Sequence, residues 1–217
     1  MKDDRLGKRK SRNQGGNLRE YEMGYYLIIT DTDQTERCYF QGIKELLPIS
    51  LKNKIEIQIV KTKTRSLVEC AKEYMAYSAQ LKEVWIVFDR DKVPNFDTII
   101  NEAKDNGINV GWSNPCFEIW LFAYFGKMST GMDSVQCCHK FSEEFKRRIR
   151  QEYSKNDSNM YKKLVKFGDE ISAIKKANQT LEKYKRDSVE LPSEMNPGTT
   201  IYLLVEKIQE KIEHCAE

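Results

Sequence analysis

Three short stretches of this 217-residue chain carry carboxylates that could do chemistry together: Asp31, Asp33 and Glu36; Asp89-Arg90-Asp91; and Glu118, which follows Ser113-Asn114-Pro115. Crowding carboxylates is costly because like charges repel. A hard divalent cation such as Mg²⁺ or Mn²⁺ offsets that repulsion and prefers oxygen ligands. One or two such ions could polarise a phosphate, activate water and stabilise a leaving oxygen. That chemistry needs neither His nor Cys, and the chain has only 2 His. Taken singly, the acids have plainer readings. Asp and Glu after strands are also turn residues and helix caps, and Glu36 alone could be a surface residue. Glu118 is harder to dismiss, because it interrupts the apolar run of residues 116–122 one turn after Pro115. A carboxylate drawn into burial there requires a partner.

The elements around these residues alternate. Residues 25–30 form an apolar run ending at Asp31, which suits a buried strand. Residues 35–47 place Tyr39, Phe40, Ile43 and Leu46-Leu47 at helical spacing, and Pro48 stops them. Residues 54–60 alternate as a half-buried strand, and residues 66–81 read as a helix with Ser66 as its cap. Residues 84–88 are continuously apolar, as a central strand should be, and end at Asp89. A helix over 96–104, closed by Asn106-Gly107, leads to a strand over 108–112 and an apolar helix to Phe125. Strand and helix in strict alternation predict a mainly parallel α/β sheet. In such a sheet, ligands gather at the carboxyl ends of the strands, where the three acidic stretches fall. Beyond Gly126 the pattern predicts amphipathic helices over 141–153, 170–184 and 199–212. The expected organisation is a basic arm over 1–22, an α/β core over 23–126 and a helical region over 127–217 packed on that core. The aromatic residues Phe117, Trp120, Phe122, Tyr124 and Phe125 read as core.

Composition excludes several classes. Hydrophobic residues make up 40% and charged residues 32%, enough for a packed core, which argues against wholesale disorder. The longest uncharged apolar run, 119–125, is far short of the roughly 20 residues of a membrane helix. Residues from Lys2 onward are charged and lack the apolar stretch of a secretory signal, so the expectation is a cytoplasmic protein. The 6 Cys form no CxxC pair and Cys137-Cys138-His139 fits no ligand spacing, so neither a disulfide scaffold nor a structural zinc site is expected. The net charge is +3 at pH 7, and residues 1–20 carry seven Lys/Arg against three acids. A second basic block spans 140–166 with nine Lys/Arg against four acids. Such blocks attract phosphate backbones, or are simply solvated faces.

Taken together, the segments ValTrpIleValPheAspArgAsp (84–91) and SerAsnProCysPheGluIleTrpLeu (113–121) resemble the central signature of the RloB family of prokaryotic defence proteins. ThrGluArgCysTyrPhe (35–40), TyrLysLys (161–163) and AsnProGlyThrThrIleTyrLeuLeuVal (196–205) add to it, so the likeness runs from about residue 25 to 208. The resemblance implies a Toprim-like fold, the fold of topoisomerases, primases and OLD-type nucleases. There, a glutamate after the first strand and an Asp-x-Asp after the third hold Mg²⁺. By analogy it implies a nuclease effector paired with an ABC- or SMC-like ATPase in phage defence, with RNA (tRNA among the candidates) or DNA as substrate. On that basis Asp31, Asp89 and Asp91 are the expected metal ligands. Glu36 is a further ligand or a water-orienting base, Glu118 an additional acidic member, and Ser113 and Asn114 the pocket rim. Lys8, Arg9, Lys10, Arg12, Lys162 and Lys163 are expected to hold nucleic-acid phosphates. The chain departs from the family's Glu-Gly-x-x-Thr-Glu, reading Asp31-Thr32-Asp33-Gln34-Thr35-Glu36, and Tyr124 stands where the family has histidine. The shorter Asp31 and the lost glycine favour the alternative, a degenerate Toprim-fold subunit that binds an ATPase or nucleic acid without cutting.

Overall fold

The computed structural model describes residues 24–52, 55–77, 83–91 and 93–213; Lys8, Arg9, Lys10 and Arg12 lie outside them. Four parallel strands, β1 (Gly24–Thr30), β2 (Ile55–Lys61), β3 (Glu83–Asp89) and β4 (Asn109–Asn114), stand in the order β2-β1-β3-β4. A two-residue strand, β5 (Gly198–Thr199), joins β4 antiparallel. The α/β sheet and the central place of β3 are as the alternation predicted. Both faces of β1 and β3 are covered, so Tyr26–Ile29 and Val84–Phe88 are buried without interruption. β2 is an edge strand; there Glu56 stays half-exposed and pairs with Lys44 at 2.7 Å.

Helices α1 (Thr35–Leu46), α2 (Leu67–Tyr77) and α3 (Phe96–Asp105) are the crossovers. Right-handed connection puts α1 on one face of the sheet and α2 and α3, which touch each other, on the opposite face. α1 turns Glu36, Tyr39, Phe40 and Ile43 inward, then ends where Leu47 becomes extended before Pro48. Ser66 is the last residue of a 3₁₀ turn (Thr64–Ser66) that runs into α2, rather than a side-chain cap. α4 (Glu118–Ala123) is short and buried along its whole length. Tyr39 locks α1 to α4: its ring meets Phe117 edge-on at 5.5 Å and Trp120 at 6.4 Å.

The C-terminal part differs from expectation in three ways. The helix expected from 141 starts earlier, as α5 (Ser134–Ile149), because Asp133 and Gln136 form a reciprocal capping box. Arg150, at φ 63°, closes it. An unexpected helix, α6 (Met160–Phe167), packs on α1, where Gly42 lets Tyr161 approach. Its eight residues were too few for the 3.6-residue period to stand out. α7 (Glu170–Arg186) and α8 (Ile201–Glu213) follow as expected, but residues 198–199 ahead of α8 extend the sheet. The C-terminal region is thus built into the core: the Thr199 and Ser113 hydroxyls meet at 3.2 Å and Ile201 is fully buried. No helix among the described residues is long and apolar enough to cross a membrane.

Candidate metal centre

Parallel pairing puts the ends of β1 and β3 side by side, with Thr30 opposite Val87, so Asp31 and Asp89 emerge at the same edge of the sheet. The first turn of α1 brings Glu36 to that edge, and the first turn of α4 brings Glu118. With Asp91 and Lys155 they line one cleft of about 280 Å³, together with Thr32, Gln34, Thr35, Thr64 and Val93. Five of the six candidate acids therefore converge, from three stretches of chain; Asp33 does not line the cleft and pairs instead with Arg37 and Lys61.

Each is held differently. The Thr64 hydroxyl donates to Asp31 Oδ2 at 2.7 Å, while Asp31 Oδ1 is buried without a partner. Asp89 lies near the Phe117 backbone N–H, which favours its charged form, and its Oδ1 is likewise buried and unpartnered. The Thr32 hydroxyl donates to Glu36 Oε2 at 2.8 Å. Asp91 is more exposed; it accepts a 2.6 Å hydrogen bond from the Ser134 hydroxyl, and its backbone N–H donates to Pro115 O. Glu118, 1% exposed, accepts from the Tyr153 hydroxyl at 2.7 Å and pairs with Lys155 at 3.2 Å. The partner demanded by a carboxylate in an apolar helix is thus present.

Electrostatics divide the group. Burial, and then the charges of Glu36 and Glu118, push Asp89 well above the usual carboxylate range. Burial, with Asp31 and Glu118 adding to it, pushes Glu36 up to about 7. Burial also raises Asp31, against the Thr64 hydrogen bond. Burial alone would raise Glu118 too, but Lys155, Tyr153 and Cys116 outweigh it and hold Glu118 below its ordinary value. Among the described residues, the inner carboxylates thus repel one another with no cation paired to them, since Lys155 is engaged by Glu118. Two orphaned buried carboxylate oxygens beside a raised third carboxyl make a donor set suited to a hard cation.

Other expected residues lie elsewhere. Ser113 is fully buried, bonded to Thr199, and Asn114 donates its amide to Pro192 O and Ser193 O, both at 3.1 Å. Neither lines the cleft. This stretch acts through its backbone instead, since Ser113 O and Pro115 O accept the Arg90 and Asp91 N–H groups and so shape the acidic turn. Lys162 is exposed on α6, while Lys163 is tied to Asp157 at 2.7 Å; neither reaches the cleft. Tyr124, in the family's histidine position, shares a 2.7 Å hydrogen bond with Tyr39 and donates to Glu170 at 2.5 Å, deep in the core. Sequence reasoning missed Lys155 and Tyr153. Their only signal was a basic block containing many similar residues.

The sheet, its crossovers and this cleft define an α/β protein with an acidic cleft at the carboxyl edge of a mainly parallel sheet. The RloB-like protein family matches residues 26–208, and the chain belongs to that family. No curated protein and no solved structure matches it.

Proposed function

We propose that this RloB-like protein is a Toprim-like, Mg²⁺- or Mn²⁺-dependent nuclease that hydrolyses phosphodiester bonds of nucleic acid, tRNA among the candidates, as the effector of an antiphage system with an ATPase partner. The observation that carries the reading is the pair of buried, unpartnered oxygens, Asp31 Oδ1 and Asp89 Oδ1, in a cleft where five carboxylates meet. Asp31 and Asp89 would hold the cation, with Asp91 at the exposed margin. When bound, the ion would neutralise the crowded acids and polarise a phosphate. Glu36, poised near neutrality, is suited to orient the attacking water by accepting its proton. Lys155 stands at the mouth of the cleft with about half its side chain exposed, where it can meet a phosphate and neutralise charge developing on it. Glu118, itself bonded by Tyr153, holds that ammonium in place. The exposed Lys162 and the basic arm would supply weaker, sequence-independent attraction to the backbone.

The test is cleavage of tRNA, single-stranded RNA and duplex DNA by the full chain in Mg²⁺ or Mn²⁺, alone and with its ATPase partner, against Asp89→Asn. Cutting by the wild type, lost in the folded variant, is the expected result. One observation favours a second reading, a non-cutting subunit: Asp31 and Asp91 each already spend an oxygen on a neighbouring hydroxyl, from Thr64 and Ser134. If wild type with partner and metal leaves every substrate intact yet still binds it, the second reading replaces the first.

A further inference from the structure

Behind Glu118, the loop before α4 and the first turns of α5 bring soft donors together. Cys116 Sγ and Cys138 Sγ are 3.8 Å apart, and each lies within 4.8 Å of a Glu118 carboxylate oxygen. Cys116 is buried, and Cys138 lies at the edge of a small apolar cluster formed by Cys116, Ile119, Met132 and Cys137. Spacing in the sequence gives no hint of this, because 22 residues separate the two thiols.

We infer that Cys116, Cys138 and Glu118 form a second cation site, one for Zn²⁺ or a similarly thiophilic divalent ion, adjoining the hard-cation cleft, which Glu118 also lines but neither thiol does. The separation of the sulfurs fits: two sulfurs each about 2.3 Å from a tetrahedral ion stand about 3.8 Å apart. A disulfide would need them at about 2.05 Å. Charge fits as well. Two thiolates and the Glu118 carboxylate would be matched by a divalent ion and the Lys155 ammonium, which already sits 3.2 Å from Glu118. The frame is fixed before any ion arrives. The capping box pins the start of α5, Ser134 bridges it to Asp91, and the Cys116 thiol donates to Ser134 O at 3.8 Å. His139, next in the chain, takes no part; it is exposed and 3.8 Å from Glu143. Three protein ligands leave a fourth position for solvent.

The experiment is a titration of the full-length, reduced, metal-stripped protein with Co²⁺, then Zn²⁺, followed by absorption. The expected result is a thiolate-to-cobalt charge-transfer band that saturates at one equivalent, is displaced by Zn²⁺, disappears in Cys138→Ser and persists in Cys70→Ser. Cobalt held only by oxygen ligands gives no such band, so this proposal and the hard-cation reading fail separately. X-ray absorption of the zinc-loaded wild type avoids dependence on any variant, and two sulfurs at about 2.3 Å are expected. No sulfur band, a band that survives Cys138→Ser, or freshly purified protein carrying a Cys116–Cys138 disulfide that takes no cobalt would each overturn the inference.

Discussion

Replacing Glu36 by glutamine should stabilise the cation-free protein, and the gain should grow with pH. The Glu36 carboxyl is 3% exposed, and burial, reinforced by Asp31 and Glu118, lifts it from the ordinary 4.5 to about 7. Between those values the folded protein keeps a proton that the unfolded chain has released. Folding therefore takes up a proton, and stability falls as the pH climbs through that window, levelling off above it. At about 1.4 kcal/mol per unit, the full span costs about 3 kcal/mol once both states are ionised. Glutamine never ionises, and its amide oxygen can still accept from the Thr32 hydroxyl. E36Q should therefore gain about 3 kcal/mol at about pH 8 and under about 1 kcal/mol at about pH 5. At the higher pH this corresponds to roughly 6–12 °C in Tm. The assay is urea unfolding of the full chain in chelator at both pH values, followed by Mn²⁺ addition. Mn²⁺ should stabilise the wild type more than E36Q, because the wild type has one more crowded carboxylate whose repulsion the ion relieves. An equal gain at both pH values, or a loss at the higher one, would refute the argument that like charge and burial raise this carboxyl.

Two further substitutions test how the cleft is positioned. Tyr153→Phe removes the hydroxyl that bonds Glu118 at 2.7 Å and Thr35 at 3.3 Å. It should cost about 1–3 kcal/mol in thermal unfolding, and an unchanged Tm would mean that Lys155 alone satisfies Glu118. Gly42→Ala would put a Cβ 2.6 Å from Tyr161 Cβ, part of the backbone-anchored contact between α1 and α6. That crowding should lower the urea midpoint by the equivalent of about 1–3 kcal/mol; a neutral result would show that α6 can shift away freely.

Much of the fold was legible because it is encoded locally. The apolar runs of β1 and β3, the helical spacing of Tyr39, Phe40 and Ile43, and the stop at Pro48 each follow from near neighbours in the chain. β5 was not legible, since two residues carry no period; Gly198–Thr199 becomes a strand only because β4 offers its edge. The candidate site divides in the same way. Asp31, Asp89, Asp91, Glu36 and Glu118 announced themselves as acids at strand ends or in an apolar helix. Lys155 and Tyr153 looked like any others in a polar stretch until the fold carried them to Glu118. Ser113 and Asn114 come only a few residues before Glu118 in sequence, and Ser113 pairs with Asp89 across the sheet, yet their side chains turn to Thr199 and the 192–193 backbone.

The amino-acid order by itself determined that a parallel sheet would form and that its carboxyl edge would be acidic, because strand period, helix period and turn chemistry act over a few residues. The tertiary structure decided which acids lose their partners, which one gains a lysine, and which two cysteines meet. Those outcomes depend on burial and on distances of a few ångströms between segments far apart in the chain, and both arise only when α1, α4 and α5 close on one another.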